Sequence, residues 1–427
     1  MNPTEPSATP TPAKTNAAAL GIVWLVVFID LLGFGIVLPV MPRQAGPYLT
    51  NLSVEAKGVV IGILFSVFSL MQFVFSPVWG RISDRIGRRP VLLISLGGSV
   101  VFYALYGYAV TLPAESAGLA IGLMLASRIG AGIAGASVGT AAAVIADCTT
   151  PEKRAKGMAL IGIAFGMGFT VGPLIAYFGL ALFDQAPWGV GALASGLSLV
   201  ALLLALAVFK ETRDPSNKAG KEFFSVAKSM EVLRMPMVGT LVLIYFLVIF
   251  AFAQFEATLA VLTEAAFQMS NEDNFLVFAT VGAVLTVAGG SYRPMVKKHS
   301  EQKLLRFGTC CMILGLAGLG AVAFAAAQEP QPGGLKAGFY IAMSISVIGF
   351  AFVNPSVSAM VSKNADASRQ GEVMGVNQAF ASLGRILGPF LGSVLFQAGF
   401  SHTLPYLSAV GLLVIVLTLL PRLKKPA

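Results

Sequence analysis

From about residue 17 onward the chain alternates between long apolar runs and short polar stretches rich in Lys, Arg, Asp and Glu. The apolar runs are about twenty residues long, the length of helix that crosses a bilayer's hydrocarbon core. They show none of the alternation over about ten residues that marks an outer-membrane β-strand. Twelve runs can be drawn, at about 17–41, 58–79, 91–112, 118–146, 156–182, 187–208, 236–261, 275–290, 304–327, 337–361, 371–399 and 403–420. The pattern predicts an all-α membrane protein of twelve transmembrane helices. The longest connection, 209–235, divides it into a six-helix bundle at 17–208 and a second at 236–420. Residues 1–16, rich in Pro, Thr and Ala, read as a disordered tail without the basic start or cleavage site of a signal peptide, and 421–427 as a second tail.

Composition sharpens this picture. Of 427 residues 56% are apolar and 11% charged, against about 25% charged in a soluble domain. A soluble enzyme or a nucleic-acid-binding domain is excluded. The net charge of +9 is a topology signal rather than a footprint for nucleic acid. Loops on the side of the termini carry 24 of the 29 Lys and Arg, and the opposite loops carry Arg43, Lys57 and Lys336. Basic loops collect on the cytoplasmic side, so both termini and the 209–235 linker are expected there, in an inner or plasma membrane. Cys148, Cys310 and Cys311 imply no disulfide framework. His299 and His402 lack metal-ligand spacing, no phosphate-binding GxxxxGK[ST] string exists, and no cofactor or metal is expected. Asn51-Leu-Ser53 fits a short glycosylation pattern.

The halves echo each other. Gly168, Gly172 and Pro173 form GxxxGP in segment five, and Gly384, Gly388 and Pro389 repeat it in segment eleven, 216 residues later. Gly80 at the end of segment two and Gly290 at the end of segment eight are 210 apart. Six-helix repeats around a central site are a transporter architecture.

Four ionisable residues stand well inside the segments: Asp30, Arg128, Glu256 and Arg385. Charge in hydrocarbon is costly, so such residues tend to face a cavity and to mark ion or proton routes. Asp30, mid-segment, is the first candidate for a carboxylate that loads and releases a proton; a static ion pair with Arg128 is the bland alternative. Arg128 precedes small residues, including Gly130, Gly132 and Gly135, that favour close helix packing. Glu256 sits near the outer end of its segment and reads equally as a rim acid or a coupling acid. Asn377, Gln378 and Arg385 make a polar stripe on segment eleven. With Gln72 and Asn354 they are the candidate lining of a substrate cavity, and Asn354-Pro355 serves equally as a passive kink. Phe65, Phe68, Phe73, Phe75, Phe165 and Phe169 would suit an apolar substrate or lipid.

After segment two comes Gly80-Arg-Ile-Ser-Asp84-Arg85-Ile-Gly87-Arg88-Arg89-Pro90. This closely resembles the loop signature of the major facilitator superfamily. Asp30-Leu-Leu-Gly33-Phe-Gly35 through Pro42 resembles the first helix of its twelve-helix drug:proton antiporters of the tetracycline-resistance type. Arg128-Ile-Gly130-Ala-Gly132 resembles their basic fourth-helix motif, and Gly168–Pro173 their antiporter helix. The resemblance spans nearly the whole chain. It implies the major facilitator fold, an exporter of a hydrophobic or amphipathic small molecule in exchange for protons, and no enzyme activity. Its coupling residues would be Asp30, Arg128 and Glu256. Its cytoplasmic latch would comprise Gly80, Asp84, Arg85, Gly87, Arg88, Arg89 and Asp147, with Arg88 meeting Asp147 and Asp84 facing the start of segment eleven near Arg369-Gln370-Gly371. Expected partners are a small-molecule substrate, protons and the lipid bilayer; no nucleic acid is expected, and the chain should be a monomer. Ala176-Tyr177 where the group has paired glycines, and a ninth segment without an acid, leave the substrate open. A proton-coupled symporter or uniporter for a nutrient or organic anion would use the same acids.

Overall fold

The computed structural model describes residues 17–37, 39–149, 164, 167–168, 171–213, 226–328, 334–365, 370–399 and 401–423. Every regular element among them is helical. Helix α1 is Ala17–Val37, α2 Val54–Ile86 and α3 Arg88–Ala109. Helix α4 is Ala117–Ala134, which passes through a 3-10 turn at Gly135–Ser137 into Val138–Cys148. Val171–Leu182 is the described apolar part of α5, and α6 is Gly189–Val208. The second half holds α7 Pro236–Phe267, α8 Asn271–Val296, α9 Glu301–Gln328, α10 Leu335–Asn364, α11 Gln370–Ala398 and α12 Leu404–Leu419. Among the described residues, 9 helices are long and apolar enough to span a membrane. Three shorter apolar stretches, Ala19–Ile29, Val171–Leu182 and Leu404–Leu419, lie where segments one, five and twelve are expected. The basic face of the bundle is the side carrying the signature loop and the 6–7 linker; the far face is the opposite side.

Local chemistry sets the ends. The Ser53 hydroxyl caps α2 by accepting from the Ala56 N–H at 3.3 Å. Pro236, which lacks an N–H to satisfy, occupies the first turn of α7. A reciprocal capping box between Ser270 and Asp273 opens α8.

Three ends differ from the sequence reading. Segment two does not stop at Gly80 nor segment eight at Gly290; the helices run on to Ile86 and Val296. Apolar character ends at the edge of the hydrocarbon, but backbone hydrogen bonding does not, so a helix continues into a charged tip. Both overrun by one and the same stretch, which keeps the repeat in register. Helix α7 likewise passes 261 to end at Phe267. Glu256 therefore stands eleven residues, about 16 Å, from that end. The 209–235 linker also contains a helix of its own, Val226–Arg234.

Small residues bring the helices together. Lipid tails are as apolar as the side chains, so close packing rather than hydrophobic exclusion joins helices. A methyl group on Gly172 would lie 2.9 Å from the Gly35 carbonyl carbon, and one on Gly35 2.6 Å from the Gly168 carbonyl oxygen. This is the α1–α5 contact. In the α7–α11 contact, a methyl on Gly388 would lie 2.6 Å from the Ala253 Cβ, and one on Gly384 3.0 Å from the Phe250 N. The two GxxxGP repeats thus do the same job, one in each half. Large apolar side chains such as Leu182, Val287 and Leu314 remain exposed on the outside, where lipid would cover them. Phe65 and Phe68 instead turn into the core, and Phe165 and Phe169 lie outside the described residues. The three cysteines are free thiols.

Overpacking a filled interface costs about 1–3 kcal/mol. Gly388→Leu is therefore expected to lower the melting temperature of the purified protein clearly. Gly196→Leu, where open space surrounds the glycine, should not. A thermal unfolding series in detergent checks both.

Candidate functional site

The centre of the first half holds the largest fully buried side chain, Arg128, 1% exposed. The small residues that follow it bring neighbouring helices close: a methyl on Gly132 would lie 2.5 Å from the Phe68 carbonyl oxygen of α2, and one on Gly130 would run into the Phe102 ring of α3. Its Nε donates to the Leu64 carbonyl of α2 at 3.3 Å. Its guanidinium carbon lies 4.5 Å from the centroid of the Phe68 ring, a cation–π contact. Tyr103 and Tyr106 of α3 are within electrostatic reach. Nη1 has no hydrogen-bond partner among the described residues. The Tyr106 hydroxyl donates to Gln44 Oε1 at 2.6 Å, and Gln44 Nε2 donates to the Pro187 carbonyl at 2.9 Å. A polar thread thus leads from beside Arg128 to the far face. Asp30 lies within α1; its side-chain placement falls outside the described residues.

The second half carries the other pair. Arg385 of α11 acts electrostatically on Glu256 of α7. Asn354 Oδ1 accepts from the Tyr245 hydroxyl at 2.8 Å, joining α10 to α7. Asn377 is buried with its Oδ1 unpartnered among the described residues, whereas Gln378 is exposed. Gln72 Nε2 donates to the Gly135 carbonyl at 3.1 Å. That bond ties α2 to the 3-10 turn of α4, so Gln72 has a structural task as well as its expected place on the cavity. Gly168 and Gly172 form part of the α1–α5 seam described above, and Pro173, the next residue, is buried.

On the basic face the signature is a helix end, a turn and a helix start. Gly80 to Arg85 lie in the last turns of α2. Gly87 at φ 108 lets the chain reverse, a conformation that side-chain-bearing residues avoid. Arg88, the first residue of α3, then folds back. Its Nη1 donates to Asp84 Oδ1 at 2.5 Å and to Ser83 Oγ at 2.7 Å, and its Nε donates to Asp147 Oδ2 at 3.2 Å. The expected Arg88–Asp147 pair is present. Asp84 is engaged by Arg88; residues 366–369, part of its expected partner on segment eleven, lie outside the described residues.

Sequence reasoning missed Glu211 in the linker. Its carboxylate accepts from the backbone N–H groups of Arg88 at 2.8 Å, Arg89 at 3.0 Å, Thr212 at 3.1 Å and Arg213 at 3.0 Å. Two of these are orphan donors at the positive end of α3, where an anion is favoured. Arg213 Nη1 donates to the Arg85 carbonyl at 2.8 Å, and Arg89 Nη2 to that of Leu206 at 3.0 Å. The linker thus stitches the signature turn shut. A KET tripeptide after an apolar segment carries no such message by itself.

The two faces differ. Toward the far face, α2 and α11 touch across the halves: a methyl on Gly58 would lie 2.9 Å from the Ser393 carbonyl oxygen, and one on Gly62 3.0 Å from the Phe390 Cα. Ser66 Oγ donates to the Ile386 carbonyl at 2.6 Å. Toward the basic face, Gly80 of α2 and Gly375 of α11 look into open space. Two loop contacts add to the far-face closure. Arg43 meets Glu264 and Asn271, and Gln185 Nε2 donates to Glu272 Oε1 at 3.1 Å.

A bundle of two helix sixes, closed on one face and carrying charges at mid-helix, defines a membrane transporter. The family model of the Major Facilitator Superfamily matches residues 23–389 and 310–427. The chain belongs to that superfamily; it is a transporter, not an enzyme. It is 30% identical to the class C tetracycline resistance protein of Escherichia coli over 391 residues, 91% of this chain and 92% of the relative. It is 28% identical to Major facilitator superfamily domain-containing protein 10 of Mus musculus, covering 99% of this chain and 96% of the relative. The crystal structure of the human organic anion transporter of that name superposes with a TM-score of 0.68 at 23% identity, over 94% of this chain and 99% of that one. That likeness shows the fold.

Partial burial pushes the Glu211 carboxyl up, but the four N–H donors outweigh it and hold the group below its ordinary range. A depressed carboxylate stabilises the turn above its unfolded value, about 4.3, and that stabilisation is lost as pH falls through the lower folded value. Hydrogen exchange at Arg88, Arg89, Thr212 and Arg213 should therefore stay slow from pH 8 down to about 4. Glu211→Gln should speed it at neutral pH. Equal protection in the two proteins contradicts the cap.

Proposed function

We propose that this transporter exports a hydrophobic or amphipathic, drug-like small molecule, tetracycline-like compounds among the candidates, across the cell membrane in exchange for protons. Both termini and the basic face are cytoplasmic in this reading, supported by the 24 of 29 Lys and Arg on that side. The shut far face and open basic-face ends of α2 and α11 correspond to an inward-facing state. Export is supported by the tetracycline resistance proteins among the relatives.

The observation that carries the coupling is the burial of Arg128 in α4, within the same half as Asp30. A buried carboxylate without a proton or a cationic partner makes the closed, switching state costly. Asp30 would take a proton from outside and release it inside, and Arg128 would hold the resulting carboxylate ionised until substrate or the next proton displaces it. Glu256, under the field of Arg385, is the second coupling acid. Gln72, Asn354, Asn377, Gln378 and Arg385 would line the substrate cavity. Gly80, Asp84, Arg85, Gly87, Arg88, Arg89 and Asp147 form the cytoplasmic latch. It must be breakable, and partly hydrated ion pairs worth about 1 kcal/mol suit that task.

Asp30→Asn mimics the protonated acid permanently. In vesicles it should abolish uphill export driven by a pH gradient while substrate exchange at equal pH persists. Asp30→Glu should retain part of the coupling. If the Asn protein still concentrates substrate as the parent does, Asp30 is not the coupling acid, and Glu256 takes its place.

A further inference from the structure

Arg43 is one of three basic residues in the far-face loops, and it is not placed like a solvated topology charge. Its side chain is 13% exposed. It projects from the short helix Met41–Ala45 that follows α1. Nε donates to Glu264 Oε2 at 3.1 Å, Nη1 to Asn271 Oδ1 at 3.0 Å, and Nη2 to the Met269 carbonyl. All three acceptors belong to the end of α7 and the turn into α8, so each bond crosses from one half to the other.

The receiving turn is shaped by its own contacts. Gln268 adopts a left-handed conformation, φ 52, and closes α7 with its N–H on the Glu264 carbonyl at 3.0 Å. The Met269 N–H reaches the Thr263 carbonyl at 3.3 Å. The Ser270–Asp273 capping box then fixes Asn271 as the first residue of α8. Side-chain carboxylate, main-chain carbonyl and side-chain amide are thereby held around one planar fork. A guanidinium can serve three such directions at once, and an ammonium cannot reproduce that geometry. An exposed ion pair would contribute little; a mostly buried, triply engaged guanidinium contributes more.

We propose that Arg43 is the positioning residue of a far-face latch. Its fork on Glu264, Met269 and Asn271 holds the halves shut opposite the signature loop, and each transport cycle must break it. The inference rests on the alternating-access reading above but not on the identity of the substrate or the coupling ion. Gln44, the next residue, ends the polar thread from Tyr106, so the latch and the buried charge share one short helix.

The test reads the far face directly. Ser66 lies in the α2–α11 seam, 8% exposed, and becomes accessible only when that seam parts. In a protein carrying Cys148→Ala, Cys310→Ala and Cys311→Ala, Ser66→Cys serves as reporter for a membrane-impermeant maleimide added outside whole cells. Arg43→Ala should raise the labelling rate about tenfold, as loss of several charge-assisted hydrogen bonds would. Arg43→Lys should raise it nearly as far, and Glu264→Gln less, because two acceptors remain. Should Arg43→Ala fail to fold, Asn271→Ala supplies the same readout with the ion pair kept. An unchanged labelling rate in these variants overturns the latch, and so does an Arg43→Lys protein that behaves like the parent. Labelling needs no substrate, so a wrong export reading leaves this outcome unaffected.

Discussion

A guanidinium kept out of water must be given partners or be released, and Arg128 is the point where this protein meets that constraint. Five donors in an apolar bundle demand satisfaction; here one goes to a helix carbonyl, the Phe68 face takes part of the charge, and one buried nitrogen stays unpartnered among the described residues. The surroundings follow from that placement. Helix α4 carries small residues where it meets Phe68 of α2 and Phe102 of α3, and a 3-10 turn at Gly135–Ser137 interrupts it just beyond. Gln72 spends its amide on that turn. In the proposed cycle this buried guanidinium is the group whose partners change as the transporter switches.

The switch itself needs two rigid halves and two breakable seams. Rigidity comes from glycine-mediated contacts within the halves, at Gly35–Gly172 and at Gly388–Ala253, where backbones approach too closely to slide. The seam between the halves is of a different kind. On the far face it combines small residues of α2 with a few polar contacts, the Ser66–Ile386 bond and the Arg43 fork on Glu264, Met269 and Asn271. Such contacts can be exchanged for water when the face opens. On the basic face, the Arg88–Asp84–Asp147 cluster is fastened to the linker through Glu211, so the connection between the halves begins at the signature turn.

The long elements were legible because hydrocarbon thickness dictates their length, and the basic loops because charge resists translocation. Helix ends were less so. Hydropathy falls at Gly80 and Gly290, yet the backbone ladder continues in water to Ile86 and Val296, and α7 likewise runs past the expected 261 to Phe267. Within the site, Arg128, Arg88 and Asp147 could be picked out because a charge in an apolar run, or a dense charge cluster, is conspicuous along one dimension. Glu211, Arg43 and Asn271 could not. Glu211 reaches Arg88 and Arg89, and Arg43 reaches Met269 and Asn271, across more than a hundred residues, and several of these bonds use backbone N–H groups or a main-chain carbonyl, which leave no trace in residue type. The one available hint was the scarcity of bases in the far-face loops, where Arg43 stood out and was read as topology alone.

In the proposed cycle the charge state of the buried acid–base group decides which face is open. Distances between paired spin labels test it most directly. One pair, at Ile86 and Asn364, spans the basic face; another, at Leu52 and Asp273, spans the far face; all four positions are exposed. Measured against pH in the otherwise unaltered acid and arginine background, the first distance should shorten as the second lengthens, with one shared midpoint. Asp30→Asn should remove the pH dependence from both. Distances that change independently, or a shared transition that survives Asp30→Asn, Glu256→Gln and their combination, contradict the claim.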